Sequence, residues 1–312
     1  MVCVVSEAAG IWSGGAAYVD GTFCPIAEAA VPILDWGFVR SDATYDVVAV
    51  WKGRFFRLED HLDRFERSVA ALRMTLPVDR NDLKLILAQC VTRAGLSDAY
   101  VSMTLTRGVP PAGSRDPRQF RNRLYAFAVP YARVFDQVAR GRAARIAVID
   151  RMRIPPQSVD PRVKNYHWLD LIMSHIEALE SGADLPVLTD GAGHVTEGPG
   201  FNLFAVIEGR IVTPGAGVLE GITRQSALDI CRDLQIRTEL RALSIEDVRR
   251  ADEIFATSTA GGIIPIGWID DVPLPCAAPG PITRRLHDAY WAAHEAGAWT
   301  TPVEAGLGRG VT

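Results

Sequence analysis

Two tight-turn signals in the first sixty residues constrain this fold more than any other feature. Asp20-Gly21 lies between Ala17-Tyr18-Val19 and Thr22-Phe23, and Lys52-Gly53 separates the strand-like run Ala43–Trp51 from Arg54-Phe55-Phe56. Pairs of this kind supply the backbone twist of a two-residue hairpin, and the flanking β-branched and aromatic residues favour strands. The period then changes. Leu62, Phe65, Val69 and Leu72 recur at helical spacing and predict an amphipathic helix over residues 59–74. Asp79 is placed to cap a second helix, with Leu83, Ile86, Leu87, Cys90 and Val91 inward and Gly95 at its end. Strands are expected around residues 100–106 and 123–129. Strands and helices are segregated, which is the pattern of an α+β unit.

The length of 312 residues suits two domains, and the stretch from Pro130 to Gly141 is the expected junction. Beyond it a strand is expected at 144–149, followed by an irregular segment with Pro155, Pro156 and Pro161. A helix is expected from about Lys164 to Glu180, with Leu169, Ile172, Ile176 and Leu179 buried and Gly182 after its end. Short strands at 186–189, 202–207 and 210–213, a helix from near Ile222 and a strand at 253–257 complete the reading.

Composition narrows the chemistry. A net charge of -4 provides no electrostatic footprint for nucleic acid or an anionic membrane. Cys3, Cys24, Cys90, Cys231 and Cys276 are scattered without C-x-x-C spacing, and the six histidines show no ligand spacing, so neither a disulfide framework nor a metal site is expected. No apolar run approaches the roughly 18 residues of a membrane span, and the N-terminus lacks a basic leader region. A cytoplasmic protein with small-molecule partners is the expectation.

Only three lysines, Lys52, Lys84 and Lys164, stand among 33 basic residues. A skew toward arginine is ordinary in GC-rich coding, yet a lysine kept where arginine is favoured invites the question whether arginine could replace it. Lys52 reads as a turn residue, and Lys84 falls off the apolar stripe of its helix as a solvated side chain. Lys164 enters an apolar, aromatic segment, Val163-Lys164-Asn165-Tyr166-His167-Trp168. Desolvation and the positive end of a helix would both lower its pKa, as a Schiff-base lysine requires. A lysine snorkelling to solvent is the commoner outcome for such a position.

Three further segments carry modest signals. Glu197-Gly198-Pro199-Gly200-Phe201-Asn202 is a turn carboxylate or an acceptor for a protonated ring nitrogen. Leu219-Glu220-Gly221-Ile222-Thr223-Arg224 opens a helix in a way that suits an anion, although many helices start so. Thr257-Ser258-Thr259-Ala260-Gly261-Gly262 is an ordinary turn or a place where backbone N–H groups converge on a phosphate.

Taken in order, these four segments resemble the fold type IV pyridoxal 5'-phosphate (PLP) transaminases, a class that includes branched-chain and D-amino-acid aminotransferases, (R)-selective amine transaminases and aminodeoxychorismate lyase. The resemblance spans about Ile33 to Tyr290. Leu34-Asp35-Trp36-Gly37-Phe38, Ser41-Asp42-Ala43-Thr44-Tyr45, Asp60-His61-Leu62-Asp63-Arg64 and Lys164-Asn165-Tyr166-His167-Trp168 are most similar to the (R)-selective amine transaminases. Branched-chain enzymes tend instead to carry a Phe-Glu-Gly segment where this chain has Thr44-Tyr45-Asp46-Val47-Val48.

The resemblance implies a small α/β domain over residues 1–130, an interdomain loop at 131–141 and a larger pseudo-barrel, PLP-binding domain over 142–312. It implies a homodimer with the active site at the subunit interface, and transfer of an amino group from an (R)-configured amine to a keto acid such as pyruvate. An amino-acid transaminase or a lyase of the same class is the alternative. Lys164 would hold PLP, Glu197 would face its ring nitrogen, and Arg64, Ile222, Thr223 and Thr259 would hold its phosphate. Tyr45, Val47, Tyr166, Trp168 and Ala260 would shape the substrate pockets. Arg115, in the loop Val109-Pro110-Pro111-Ala112-Gly113-Ser114-Arg115, is the candidate for the keto-acid carboxylate, with Arg118 and Arg121 as rivals. Arg40, where amine transaminases often carry histidine, is a second cation that would favour amino-acid carboxylates.

Overall fold

The computed structural model describes residues 14–295 and 297–306. Its first sheet is built from β1 (Ala16–Val19), β2 (Thr22–Pro25), β3 (Ala43–Trp51), β4 (Arg54–Phe56), β5 (Ala99–Thr106) and β6 (Arg123–Pro130). The second contains β7 (Ala144–Met152), β8 (Leu185–Thr189), β9 (His194–Val195), β10 (Glu197–Gly198), β11 (Phe201–Ile207), β12 (Arg210–Thr213), β13 (Thr238–Leu240), β14 (Leu243–Ser244), β15 (Glu253–Ser258), β16 (Gly262–Ile269) and β17 (Val272–Pro273). The last strand, β18 (Thr300–Pro302), returns to the first sheet. The orders are β18-β4-β3-β5-β6-β1-β2 and β13-β12-β11-β15-β16-β7-β8-β9-β14, with β10 on β11 and β17 on β16. The second sheet curls into the half-barrel of a two-domain α+β architecture. The helices are α1 (Trp36–Arg40), α2 (Leu58–Ala71), α3 (Arg80–Ala94), α4 (Gln137–Arg140), α5 (Leu169–Glu180), α6 (Ile222–Asp233), α7 (Ile245–Arg250) and α8 (Pro281–Glu295).

Both hairpins form at the Asp-Gly and Lys-Gly turns, with Val19 opposite Thr22 and Trp51 opposite Arg54. The caps of α3 match expectation: the Asp79 side chain accepts the Asp82 N–H, and Gly95 ends the helix in the left-handed conformation. Helix α2 stops at Ala71, short of residue 74. Helices α2 and α3 cover one face of the first sheet, where Val48, Val50, Leu62, Phe65, Leu83, Leu87 and Met103 form the core. Strand period sends Asp46, Val48 and Val50 toward these helices and Tyr45 and Val47 to the opposite face. In the second unit, Phe204 and Phe255 pack against α6 and α8, with Tyr290 of α8 in the same cluster.

The expected helix from Lys164 to Glu180 is corrected in two respects. It starts at Leu169, so Lys164 is not on a helix, and the dipole argument for its pKa does not apply. The helix also rests on its sheet through Leu171, Ser174 and Ala178, while Leu169, Ile172, Ile176 and Leu179 are exposed. Small side chains let α5 approach β7 and β8 closely, with Ala178 packed beside Ala147 and Ala183. That contact turns the stronger apolar stripe outward.

Candidate active site

Lys164 lies in an extended segment docked on β3. Asn165 bridges Thr44, and the Lys164 carbonyl accepts the Tyr45 N–H at 3.1 Å and the Thr44 hydroxyl at 2.8 Å. The backbone is therefore locked while Nζ extends over the Tyr45 ring, 4.4 Å from its centroid. Burial lowers the lysine pKa to about 8, and the charge of Arg64 acts in the same direction. The other two lysines are surface residues: Lys52 pairs with Glu295, and Lys84 pairs with Glu59 at 2.5 Å.

Arg64 is held by a carboxylate that the sequence reading overlooked. Asp46 is fully buried in β3 and accepts Arg64 Nε at 2.7 Å and Nη2 at 2.8 Å. Its Oδ1 also meets His61 Nδ1 at 2.8 Å. His61 and Arg64 are three residues apart on α2 and so share the face that meets β3. Burial raises the Asp46 pKa, but the guanidinium and the histidine overcome it, and the carboxyl stays well below its usual range. Arg64 Nη1 reaches across to the Glu220 carbonyl at 3.1 Å. A lone acid in the apolar run of β3 was the available sequence signal.

Glu197 is a second buried carboxylate, raised in pKa by burial against the opposing charge of Arg153. Arg153 Nε lies 3.2 Å away, and its Nη1 is bound to Asp170 at 2.8 Å, which fixes the guanidinium from behind. The Leu219 N–H donates to Glu197 Oε2 at 2.9 Å. Asn202, paired with Glu197 across β10 and β11, donates to the Leu219 carbonyl at 2.9 Å. Arg153 carried no distinguishing sequence signal, since only the β7 fold brings it here.

Helix α6 opens at Gly221 without a side-chain cap, so the first-turn N–H groups of Ile222 and Thr223 are available at the cavity. A side chain at Gly221 would collide with Asn202 Oδ1, 2.1 Å from an added Cβ. Lys164, Arg64, Glu197, Ile222, Thr223 and Thr259 all line one cavity between the two sheets. Thr257 also lines it, and its buried hydroxyl oxygen has no partner. A guanidinium, a helix N-terminus, a low-pKa amine and a buried carboxylate form a donor set that fits PLP, which has a phosphate, an aldehyde and a basic ring nitrogen.

Next to this cavity is a pocket walled by Tyr45, Val47, Tyr100, Phe127 and Trp168, with Ala260 at its rim. Four of the expected pocket residues, Tyr45, Val47, Trp168 and Ala260, thus come together. Tyr166 backs the wall: its ring lies 4.9 Å from that of Tyr45, and its hydroxyl meets Thr104 Oγ1 at 2.9 Å. Arg40 and Arg115 are exposed and line neither space in this chain. Arg118 is paired with Asp116, and Arg121 with Asp20. Among the described residues no cluster suited to a metal ion occurs.

The model of the family described as amino-transferase class IV matches residues 43–269. A D-alanine aminotransferase of Listeria monocytogenes is 30% identical over 270 residues, 84% of this chain and 90% of that protein. The branched-chain aminotransferase of Thermoproteus uzoniensis, solved with norvaline, superposes with a TM-score of 0.85 at 28% identity, covering 92% of this chain and 99% of that one. The branched-chain amino acid aminotransferase of Thermobaculum terrenum, solved in its PLP-bound holo form, gives a TM-score of 0.81 at 25% identity over 92% and 98% of the two chains.

Proposed function

The chain belongs to the class IV aminotransferases, which use pyridoxal 5'-phosphate, and on that premise we propose that it transfers an amino group between an (R)-configured primary amine and a keto acid such as pyruvate. The observation that carries the donor half is the aromatic, apolar pocket beside Lys164, whose lining contains no Asp or Glu. Such walls accept an uncharged side chain without leaving a buried charge unpaired. The motifs around Asp35, Asp60 and Lys164 support the same choice. An amino-acid donor is the second reading, favoured by the names of the D-alanine and branched-chain relatives. Comparing (R)- and (S)-1-phenylethylamine, D-alanine and L-leucine as donors to pyruvate separates the readings. Preference for L-leucine removes the amine reading and leaves the transaminase assignment.

PLP, when bound, supplies the electron sink for the substrate carbanion. Lys164 would hold the cofactor and would move a proton at the substrate carbon through Nζ. Its lowered pKa, about 8, brings the neutral amine within reach of working pH. Glu197 would accept a hydrogen bond from the ring nitrogen, and the charge of Arg153 opposes the effect of burial on its carboxyl. Arg64, Ile222, Thr223 and Thr259 would bind the phosphate, and Tyr45, Val47, Trp168 and Ala260 would shape the space for the substrate and exclude water.

A cytoplasmic homodimer belongs to this proposal. The exposed stripe of Leu169, Ile172, Met173, Ile176 and Leu179 on α5 is the kind of apolar surface a second copy covers. The four described cysteines are free, consistent with a reducing compartment, and no described helix is long and apolar enough to cross a membrane. Sedimentation of Ile172→Glu as a monomer beside a dimeric parent is the expected result. The division into residues 1–130, 131–141 and 142–312 is likewise proposed, with β18 as the segment that returns across it.

A further inference from the structure

The segment that leaves β6 carries a cation that nothing so far uses. Tyr131 donates its hydroxyl to the Thr259 carbonyl at 2.8 Å and accepts the Gly261 N–H at 2.9 Å. Three residues on, the Val134 N–H donates to the Ala260 carbonyl at 2.8 Å. These bonds pin residues 131–134 to the turn that also carries Thr259, and between them Ala132 and Arg133 become part of the pocket wall. Arg133 therefore faces the same space as Tyr45, Val47, Trp168 and Lys164.

The charge balance of that space is one-sided. Its lining holds Arg133 and Lys164 and no acidic residue. Lys164 is committed to the cofactor, which leaves Arg133 as the fixed positive charge in the pocket. Its guanidinium is loosely held: the ion pair to Asp136 spans 3.8 Å, beyond hydrogen-bond distance, and its Cζ sits 5.3 Å from the centre of the Tyr131 ring. A guanidinium has five N–H donors in a planar fork matched to a carboxylate, so Arg133 has donors to spare. Arg40 and Arg115, the other candidates, lie outside the pocket lining of this chain.

We propose that Arg133 is the specificity-determining residue that binds the substrate carboxylate, so that the pocket takes 2-keto acids through this guanidinium and amino acids in the same way. This rests on the reading of the site as an aminotransferase centre acting on a keto acid. It also explains how one pocket serves both partners. A carboxylate meets Arg133, whereas a carboxylate-free amine meets the aromatic wall and leaves Arg133 to Asp136 and the ring of Tyr131.

The test uses holoenzyme with Arg133→Leu and Arg133→Lys, and two readouts. The first is equilibrium binding of 4-methylvalerate, an unreactive carboxylate, followed through the cofactor absorbance. The second is steady-state and single-turnover kinetics with pyruvate and with (R)-1-phenylethylamine. In Arg133→Leu the 4-methylvalerate Kd and the pyruvate KM should rise about 10- to 100-fold, the value of a lost charge-assisted pair. Arg133→Lys should recover part of the loss, and the amine half-reaction should keep its rate. Unchanged 4-methylvalerate affinity and pyruvate KM in Arg133→Leu overturn the proposal, and so does an equal loss in the amine half-reaction, which marks a structural role. If the parent ignores both phenylethylamine enantiomers yet binds 4-methylvalerate through Arg133, the donor assignment fails and this inference stands.

Discussion

The cofactor cavity and the substrate pocket share Lys164 and Tyr45 but are built on opposite principles. In the cavity each buried carboxylate is held by a cation: Asp46 by Arg64, with His61 beside it, and Glu197 by Arg153, itself backed by Asp170. In the pocket the walls are aromatic and aliphatic, and the guanidinium of Arg133 is held by a long ion pair and the face of the Tyr131 ring. Groups that must hold the same geometry in every turnover are preorganised by partners that have no other function. A group that must accept carboxylates and also tolerate their absence is left with unused donors on a loop. The cavity is therefore expected to lose function steeply when any partner is removed, and the pocket to change preference instead.

The largest effect should come from Lys164, which lines both. Lys164→Ala is expected to lower turnover by roughly a thousandfold or more with the fold intact, and borohydride should no longer fix the cofactor to the chain. Retained turnover would remove Lys164 from the mechanism. Next is the partner of Arg64. Asp46→Asn strips a fully buried carboxylate from the Arg64 guanidinium and the His61 ring, and breaking such a buried ion pair costs roughly 3–5 kcal/mol. Thermal unfolding should shift accordingly, and PLP should bind more weakly because Arg64 is no longer fixed. A drop in stability with unchanged PLP affinity would confine Asp46 to a folding role.

A smaller change is expected at Glu197. Burial already raises its pKa and Arg153 opposes this. In Arg153→Gln the carboxyl should hold its proton to higher pH, and the acid limb of the kcat profile should move upward, whereas an unmoved limb would show that Arg153 does not govern Glu197. The mildest test is pH alone. Lys164 in the cofactor-free protein has a pKa of about 8. Below that pH the buried amine is protonated and unreactive, and above it the amine is neutral, so the rate of covalent PLP capture should rise through about pH 8 and then level off. A rise centred near the ordinary lysine value would mean that the site does not desolvate Nζ.

Much of the first unit was legible because its signals are local. The Asp20-Gly21 and Lys52-Gly53 turns, the Asp79 cap and the Gly95 stop each act within a few residues, and all four stand where their side chains and backbone preferences put them. Helix α5 shows where such reading stops. Its apolar stripe is real, but a stripe says only that a face avoids water, not which surface covers it. Close packing through Ser174 and Ala178 decided the orientation, and the stripe was left outside. Lys164 is a buried amine, but the helix-dipole part of the expectation does not hold: a segment docked on β3 carries it, and burial, with the charge of Arg64, lowers its pKa.

The sequence by itself determined the four ordered motifs, and with them the family, the cofactor and the lysine proposed to hold it, because each of those depends on residue identity at close spacing. Only the tertiary structure decided which charges meet. Asp46 and Arg64 are 18 residues apart, Arg153 and Glu197 are 44 apart, and Arg133 reaches the pocket because Tyr131 bonds to a turn some 128 residues away. Coulombic and hydrogen-bond energies depend on distance in space, and the fold sets that distance through packing that no short stretch of the chain encodes.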